Sequence, residues 1–199
     1  MCQLVESIKL KDGVIQNLEY HQMRMNRSMD ELFPKREKIN LATVISIPDN
    51  FASGIFKVRV LYGNSVQKIE IEPYTFRTIQ SLKVVHHESV DYHLKYTDRQ
   101  ILQELFAQRE NYDDIIIVKN GLVTDSFAAN LFFFDGETWF TPNSPLLKGT
   151  KRQLLIDQGF VFEKKIRLED IRSYQKIGLI NAMIGFEEMP MIEIEKVCF

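Results

Sequence analysis

The sequence predicts a mixed α/β (α+β) chain folded as two lobes. Three observations predict it. Segments of alternating apolar and polar residues, such as FKVRVLYG and QKIEIEPY, read as strands. Segments with apolar residues three and four apart, such as TDRQILQELFAQRE, read as helices. The two kinds mix along the whole chain without an internal repeat or a low-complexity stretch, which excludes an all-helical or all-strand fold. A small α/β lobe is expected over 1–78 and a larger lobe over 79–199.

The elements follow in order. QLVESIKL is rich in β-formers, KDG marks a turn and VIQNLEY returns as a second strand. HQMRMNRSMDELF, with Met23, Met29 and Leu32 at mixed helical spacing, reads as a helix ending before Pro34. LATVISI fits either a short helix or a strand. In FKVRVLYG, Phe56, Val58 and Val60 share one face, and Lys57 and Arg59 the other. QKIEIEPY repeats the pattern and stops at Pro73. In the second lobe SLKVV is a short strand. Thr97 is placed to cap the next helix, whose apolar face is Ile101, Leu102, Leu105 and Phe106. DDIIIVKNGLVTD is a buried strand, a turn at Asn120-Gly121 and a returning strand. NLFFFDGETWFTP is a second hairpin turning at Asp135-Gly136. KRQLLIDQG is a helix closed by Gly159. FVFEKKI, LEDIRSY, IGLINAM and MPMIEIE complete a strand, helix, strand, strand series.

Composition narrows the function. The 199 residues are 45% hydrophobic with 14 Phe, enough for a real core, and disorder is excluded on that ground. A formal net charge of -2 without a basic stripe gives nucleic-acid binding no electrostatic support. Small anions need only one or two arginines. Cys2 and Cys198 read as free thiols, since two cysteines make neither a zinc site nor a disulfide framework. The start turns polar too soon for a signal peptide, and no apolar run approaches a membrane span. A soluble, cytoplasmic protein is expected. His86, His87, Glu88 and His93 lie close together, but adjacent histidines on a strand point to opposite faces, so a polar surface segment is expected and no metal site. Trp139 reads as core or interface packing.

Three segments carry candidate chemistry: DYHLKYTDR with Lys95, GLVTDSFAANLFFF with Asp125 and Asn130, and TPNSPLLKGTKRQLL with Gly149 and Thr150 opening a helix. Singly, each has a plain structural reading. Lys95 reads as a solvated charge, Asp125 and Asn130 as turn or capping residues, and GTKR as an ordinary helix start.

Taken as an ordered set, with Glu6, Asp12-Gly13, His21 to Arg24 before them and INAM at Ile180 to Met183 after them, these segments resemble the class IV aminotransferase family. Its pattern is an E-x-I/V strand, a D-G turn, H-x-x-R, a lysine before a helix, T-E-x-x-x-x-N-L-F, T-P and L-x-G-I-T-R. Here the later motifs are TDSFAANLF from Thr124, Thr141-Pro142 and LKGTKR from Leu147. The resemblance covers nearly the whole chain. It implies the two-lobed fold-type IV architecture, like that of D-amino acid aminotransferase, and pyridoxal 5'-phosphate (PLP) as cofactor. Lys95 would form the Schiff base and move the α-proton. Arg24 would bind the phosphate, with backbone amides of Thr150 and Lys151 after Gly149 and of Ala182 and Met183. Asp125 would partner the pyridine nitrogen, and Asn130 would brace its loop.

Departures are visible too. The family places Glu where this chain has Asp125, one methylene shorter, and its threonine one residue beyond Thr150. Its members usually start with a strand and a G-D-G-type loop ahead of the E-x-I strand; this chain is expected to lack that first strand, and a homodimer is expected. Three outcomes compete. The small residues Ala128 and Ala129, with INAM, lean toward 4-amino-4-deoxychorismate lyase, which eliminates pyruvate and leaves 4-aminobenzoate for folate biosynthesis. The alternatives are a branched-chain or D-amino acid aminotransferase, and a PLP or amino-acid binder of the same fold without turnover. Ser7 and Tyr92 are candidates to manage protons at the departing enol.

Overall fold

The structure is a computed structural model, which describes residues 3–199; Cys2 lies outside the described residues. The chain divides into two compact units, Met1–Phe76 with Leu94–Asp98, and Arg77–His93 with Arg99–Phe199.

The first unit is a four-stranded antiparallel sheet with one long helix. Its elements are β1 (Leu4–Lys11), β2 (Val14–Ile15), α1 (Leu18–Leu32), α2 (Leu41–Val44), β3 (Ile55–Tyr62) and β4 (Val66–Pro73), with sheet order β2-β1-β3-β4. Asp12 and Gly13 both take positive φ, which is what a two-residue hairpin twisted like its strands requires. Leu4, Ile8 and Leu10 of β1 meet Val58, Val60 and Tyr62 of β3 and Met25 and Met29 of α1 in one core. LATVISI resolves as the short helix α2, capped by the Asn40 side chain accepting from the Ala42 amide.

The helix forms as expected, but only some of its spaced apolar residues face inward. Met23 is 47% exposed, and the buried positions are His21, Arg24, Met25, Ser28 and Met29. The mixed spacing has a physical cause: three of the five inward positions are polar, so apolar periodicity marks only part of the buried face.

The second unit holds β5 (Leu82–His86), α3 (Gln100–Ala107), β6 (Asp114–Lys119), β7 (Leu122–Val123), β8 (Asn130–Phe134), β9 (Trp139–Pro142), α4 (Thr150–Asp157), β10 (Phe162–Lys164), β11 (Lys176–Ile180), β12 (Met191–Glu193) and β13 (Val197–Cys198). They form two sheets, β13-β5-β6-β7 and β10-β9-β8-β11-β12. The sheets share a core of Leu82, Ile116, Val118, Leu131, Phe133, Ile177 and Leu179. Phe132, between Leu131 and Phe133, turns to the other face and packs with Leu155 of α4. This is why NLFFF is an unbroken apolar run: the strand is buried on both sides. Asn120-Gly121 makes the expected turn, again with positive φ at both residues. LEDIRSY forms a 3₁₀ turn, Leu168–Ser173, in place of an α-helix. Thr97 does not cap α3. The residue ahead of the helix is Arg99, and the Thr97 amide and hydroxyl both donate to the Gln3 carbonyl. Among the described residues no helix is long and apolar enough to cross a membrane.

Candidate active site

The Lys95 segment lies along β1. The Val5 amide donates to the Lys95 carbonyl at 3.0 Å, the Thr97 amide to the Gln3 carbonyl at 2.9 Å, and Leu4 bridges Tyr96 in antiparallel sense. Leu94 and Tyr96, on either side of Lys95, both pack into the core with Leu4. The Tyr96 amide donates to the Leu94 carbonyl at 2.9 Å, which closes a three-residue turn centred on Lys95.

Inside the same unit stands a buried polar trio. Glu6 Oε1 accepts from Arg24 Nε at 3.0 Å, and Glu6 Oε2 accepts from Arg24 Nη2 at 2.5 Å. His21 Nδ1 lies 2.5 Å from Glu6 Oε2. Burial alone would raise the Glu6 pKa, but the Arg24 charge and the His21 and Arg24 hydrogen bonds outweigh it and bring it to about 2. Burial pushes His21 below its ordinary value, against the pull of Glu6, and the Arg24 and Lys95 charges add to the fall. An ionised Glu6 can only accept, so a neutral His21 carries its proton on Nδ1. Glu6 thus fixes the plane of the Arg24 guanidinium by a two-point contact.

The second unit gathers Asp125, Asn130 and Gly149. Asn130 Nδ2 donates to Asp125 Oδ1 at 2.7 Å and to the Leu147 carbonyl at 2.9 Å, and the Leu147 amide donates to Asp125 Oδ2 at 2.9 Å. Gly149 has a reason: a Cβ there would land on Asn130 Oδ1. Burial raises the Asp125 pKa from 3.8 to about 6, against the lowering influence of Leu147, Asn130 and Arg152. Thr150, buried, opens α4, and Lys151 follows in its first turn, where amides are not consumed by intrahelical bonding. Asn181 ties the INAM turn to this loop: its Nδ2 donates to the Ala128 carbonyl at 3.2 Å, and its Oδ1 accepts from the Met183 amide at 2.9 Å. Ala182 sits between those two anchored residues. The loop tip is held from the other side. Arg99 stacks on the Phe127 ring at 4.3 Å and donates to the Phe127 carbonyl, while Asp114 accepts from the Phe127 amide.

Sequence reasoning gave no role to Glu6, His21 or Arg152. Arg152 is buried, and its guanidinium bonds Thr141 Oγ1, the Pro142 carbonyl and Glu163. It joins α4, which follows the L-x-G motif, to β9, which carries T-P. Its position inside LKGTKR was the available signal. Among the described residues no three His, Cys, Asp or Glu converge as a metal site, and His93 pairs with Asp91 at 2.7 Å.

Residues 3–189 match the family described as amino-transferase class IV. The chain belongs to the class IV aminotransferase family. An uncharacterized protein of Haemophilus influenzae is 37% identical over 187 residues, covering 93% of this chain and 100% of that one. Among solved structures, the "putative 4-amino-4-deoxychorismate lyase" of Haemophilus somnus 129pt is 34% identical with a TM-score of 0.89, covering 94% of this class IV chain and 98% of its own. A hypothetical aminotransferase of Mycobacterium tuberculosis in its PLP-bound form, 16% identical with a TM-score of 0.76 over 96% of this chain and 80% of that one, shares the fold. The mixed α/β fold is therefore the fold-type IV one.

Proposed function

We propose that this class IV protein is a PLP-dependent enzyme and that it removes pyruvate from 4-amino-4-deoxychorismate, leaving 4-aminobenzoate. The observation that carries the cofactor is Asp125, a buried carboxylate of raised proton affinity held by Asn130 and Leu147. A cationic N–H beside such a carboxylate stabilises it, and a protonated pyridine ring offers one. The rest of the donor set fits: an amine at Lys95, a braced guanidinium at Arg24, and amides of Thr150, Lys151, Ala182 and Met183 for a phosphate. Bound PLP supplies an electron sink for the charge left at the substrate α-carbon.

The side chains supply the remaining steps. Lys95 is the amine that would hold the aldehyde carbon and receive the α-proton. Asp125 would keep the ring nitrogen protonated. Ser7 and Tyr92 are the candidates for the enol-side proton. The lyase branch is supported by the Haemophilus somnus relative, alike over nearly all of both chains. The homodimer expected from the resemblance belongs to the same proposal, and sedimentation equilibrium tests it.

Protein reconstituted with PLP is expected to show a visible absorption band that borohydride bleaches and that Lys95→Ala abolishes. No such band in the wild type, or the same band in the variant, ends the cofactor assignment. Formation of 4-aminobenzoate and pyruvate without a keto acid supports the lyase. Amino transfer that requires a keto acid replaces it with an aminotransferase, and a band without product with a binding protein.

A further inference from the structure

The side chains around Phe127 form an assembly that the proposed chemistry leaves without a role. Phe127 sits in the loop 126–129, whose ends are Asp125 and Asn130. Those two residues face each other as an antiparallel bridge, and the Ser126 amide donates to the Ala129 carbonyl at 2.9 Å. Phe127 is gripped from outside the loop at its carbonyl, its amide and its ring. Arg99 Nη2 donates to the carbonyl at 2.6 Å, Asp114 Oδ1 accepts from the amide at 3.2 Å, and the Arg99 guanidinium lies 4.3 Å from the ring centre. The Phe127 ring stacks in turn on Phe106 of α3 at 4.3 Å and 24°, and Arg109 lies 4.1 Å from the Phe106 ring. Each cation is drawn to the negative face of the ring beside it.

Arg99 is a poor residue for its own place. It stands immediately before α3, where a short hydroxyl, amide or carboxylate side chain would cap the helix and where a cation meets the positive end of the macrodipole. α3 has no side-chain cap, and no acid in its first turn offsets the charge. Arg99 Nε is also buried with no hydrogen-bond partner among the described residues. Local rules broken together at one residue mark a site where another requirement wins, and the contact Arg99 does make is with Phe127. Asp125 takes its own donors from Asn130 and Leu147, so the loop tip does not supply them. What the tip controls is the course of the backbone between Asp125 and Asn130, and with it the enclosure of the carboxylate.

We propose that Arg99 is a positioning residue for Asp125: by gripping the ring and the carbonyl of Phe127 it fixes the loop 126–129 and keeps the carboxylate enclosed, ready for a cationic N–H. This role rests on the reading of Asp125 as the partner of the cofactor ring, and it adds to that site a residue to which the motifs gave no part.

The test compares Arg99→Met, Arg99→Lys, Phe127→Leu and the double variant Arg99→Met/Phe127→Leu with the wild type. Carbon-detected NMR of the cofactor-free proteins reads the Asp125 carboxyl. In Arg99→Met it is expected to titrate between the wild-type value of about 6 and the ordinary 3.8, because water reaches it. PLP affinity, followed by the visible band, should fall about tenfold. Phe127→Leu should do the same, and the double variant should be no worse than either single one, since the two side chains act as a unit. Arg99→Lys keeps a cation for the ring and a donor for the carbonyl, and should recover most of both losses even where Arg99→Met folds poorly. An Asp125 titration unmoved in Arg99→Met and Phe127→Leu overturns the assignment, with or without a band; a lowered urea midpoint alone then marks Arg99 as packing. Unchanged PLP affinity in both variants overturns it as well. If the wild type forms no band while the Asp125 titration still depends on Arg99, the cofactor reading falls and the positioning role stands.

Discussion

Glu6 in the first unit and Asp125 in the second are both enclosed carboxylates with fixed hydrogen bonds, yet their proton affinities move in opposite directions. Glu6 has a guanidinium on both oxygens and an imidazole N–H on one, and its pKa falls to about 2. Asp125 has only neutral donors in contact, an amide side chain and a backbone N–H, and its pKa rises to about 6. Burial acts equally on both; the difference is whether a full positive charge touches the carboxylate. Glu6 is finished by its own unit. Asp125 is built to gain from a cation that the chain does not place in contact with it, which is the property of a binding residue.

The largest effect is expected from Glu6→Gln, which leaves Arg24 buried without its counter-charge. A loss of about 3–5 kcal/mol at pH 7 follows, read by urea denaturation. Because the Glu6 pKa is depressed in the fold, its contribution is complete above the ordinary 4.5 and is lost as pH falls toward about 2. The penalty of the substitution should shrink over the same range. A loss under 1 kcal/mol at pH 7 would mean the trio is not the electrostatic unit described.

Asp125 comes next, with the opposite sign. Its pKa is raised, so its stabilising effect is present below the ordinary 3.8 and is lost as pH rises through about 6. The group's share is about 3 kcal/mol at most. Carbon-detected NMR of the cofactor-free protein should find it titrating near 6. Addition of PLP should bring the value down, as a cation beside it must. A titration near 4 without PLP removes the contrast with Glu6, and no fall on adding PLP argues against a pyridinium partner.

Gly149→Ala is the mildest. The new Cβ displaces Asn130, and a loss of about 1–3 kcal/mol is expected together with a further rise in the Asp125 pKa, since one of its donors moves away. An unshifted Asp125 would show that Leu147 alone holds the carboxylate.

Much of the fold could be read from local signals. Asp12-Gly13 and Asn120-Gly121 announced their turns because few dipeptides tolerate positive φ twice in succession. β3 and β4 were visible because one face meets a core and the other is charged. α1 was found but its buried face was not, because His21, Arg24 and Ser28 occupy positions that apolar periodicity is used to detect. Thr97 looked like a cap because it precedes a helix, but its hydrogen bonds go to a residue 94 positions away, which no local rule sees. Within the site, Asn130 was legible through its spacing from Asp125. Glu6 was legible only as a motif letter, since its partners lie 15 and 18 residues along the chain.

By itself the sequence determined the order of the elements, the hairpins, the ordered motifs around Lys95 and Asp125, and through them the family. Those are properties of short windows, where propensity and spacing act. Tertiary structure decided the state of each charged group. It laid the Lys95 segment along β1, with Leu94 and Tyr96 in the core on either side of the lysine. It gave Arg24 and His21 to Glu6, and left Asp125 with neutral neighbours alone in direct contact. Proton affinity depends on what stands within a few ångströms in space, and distance along the chain does not report it.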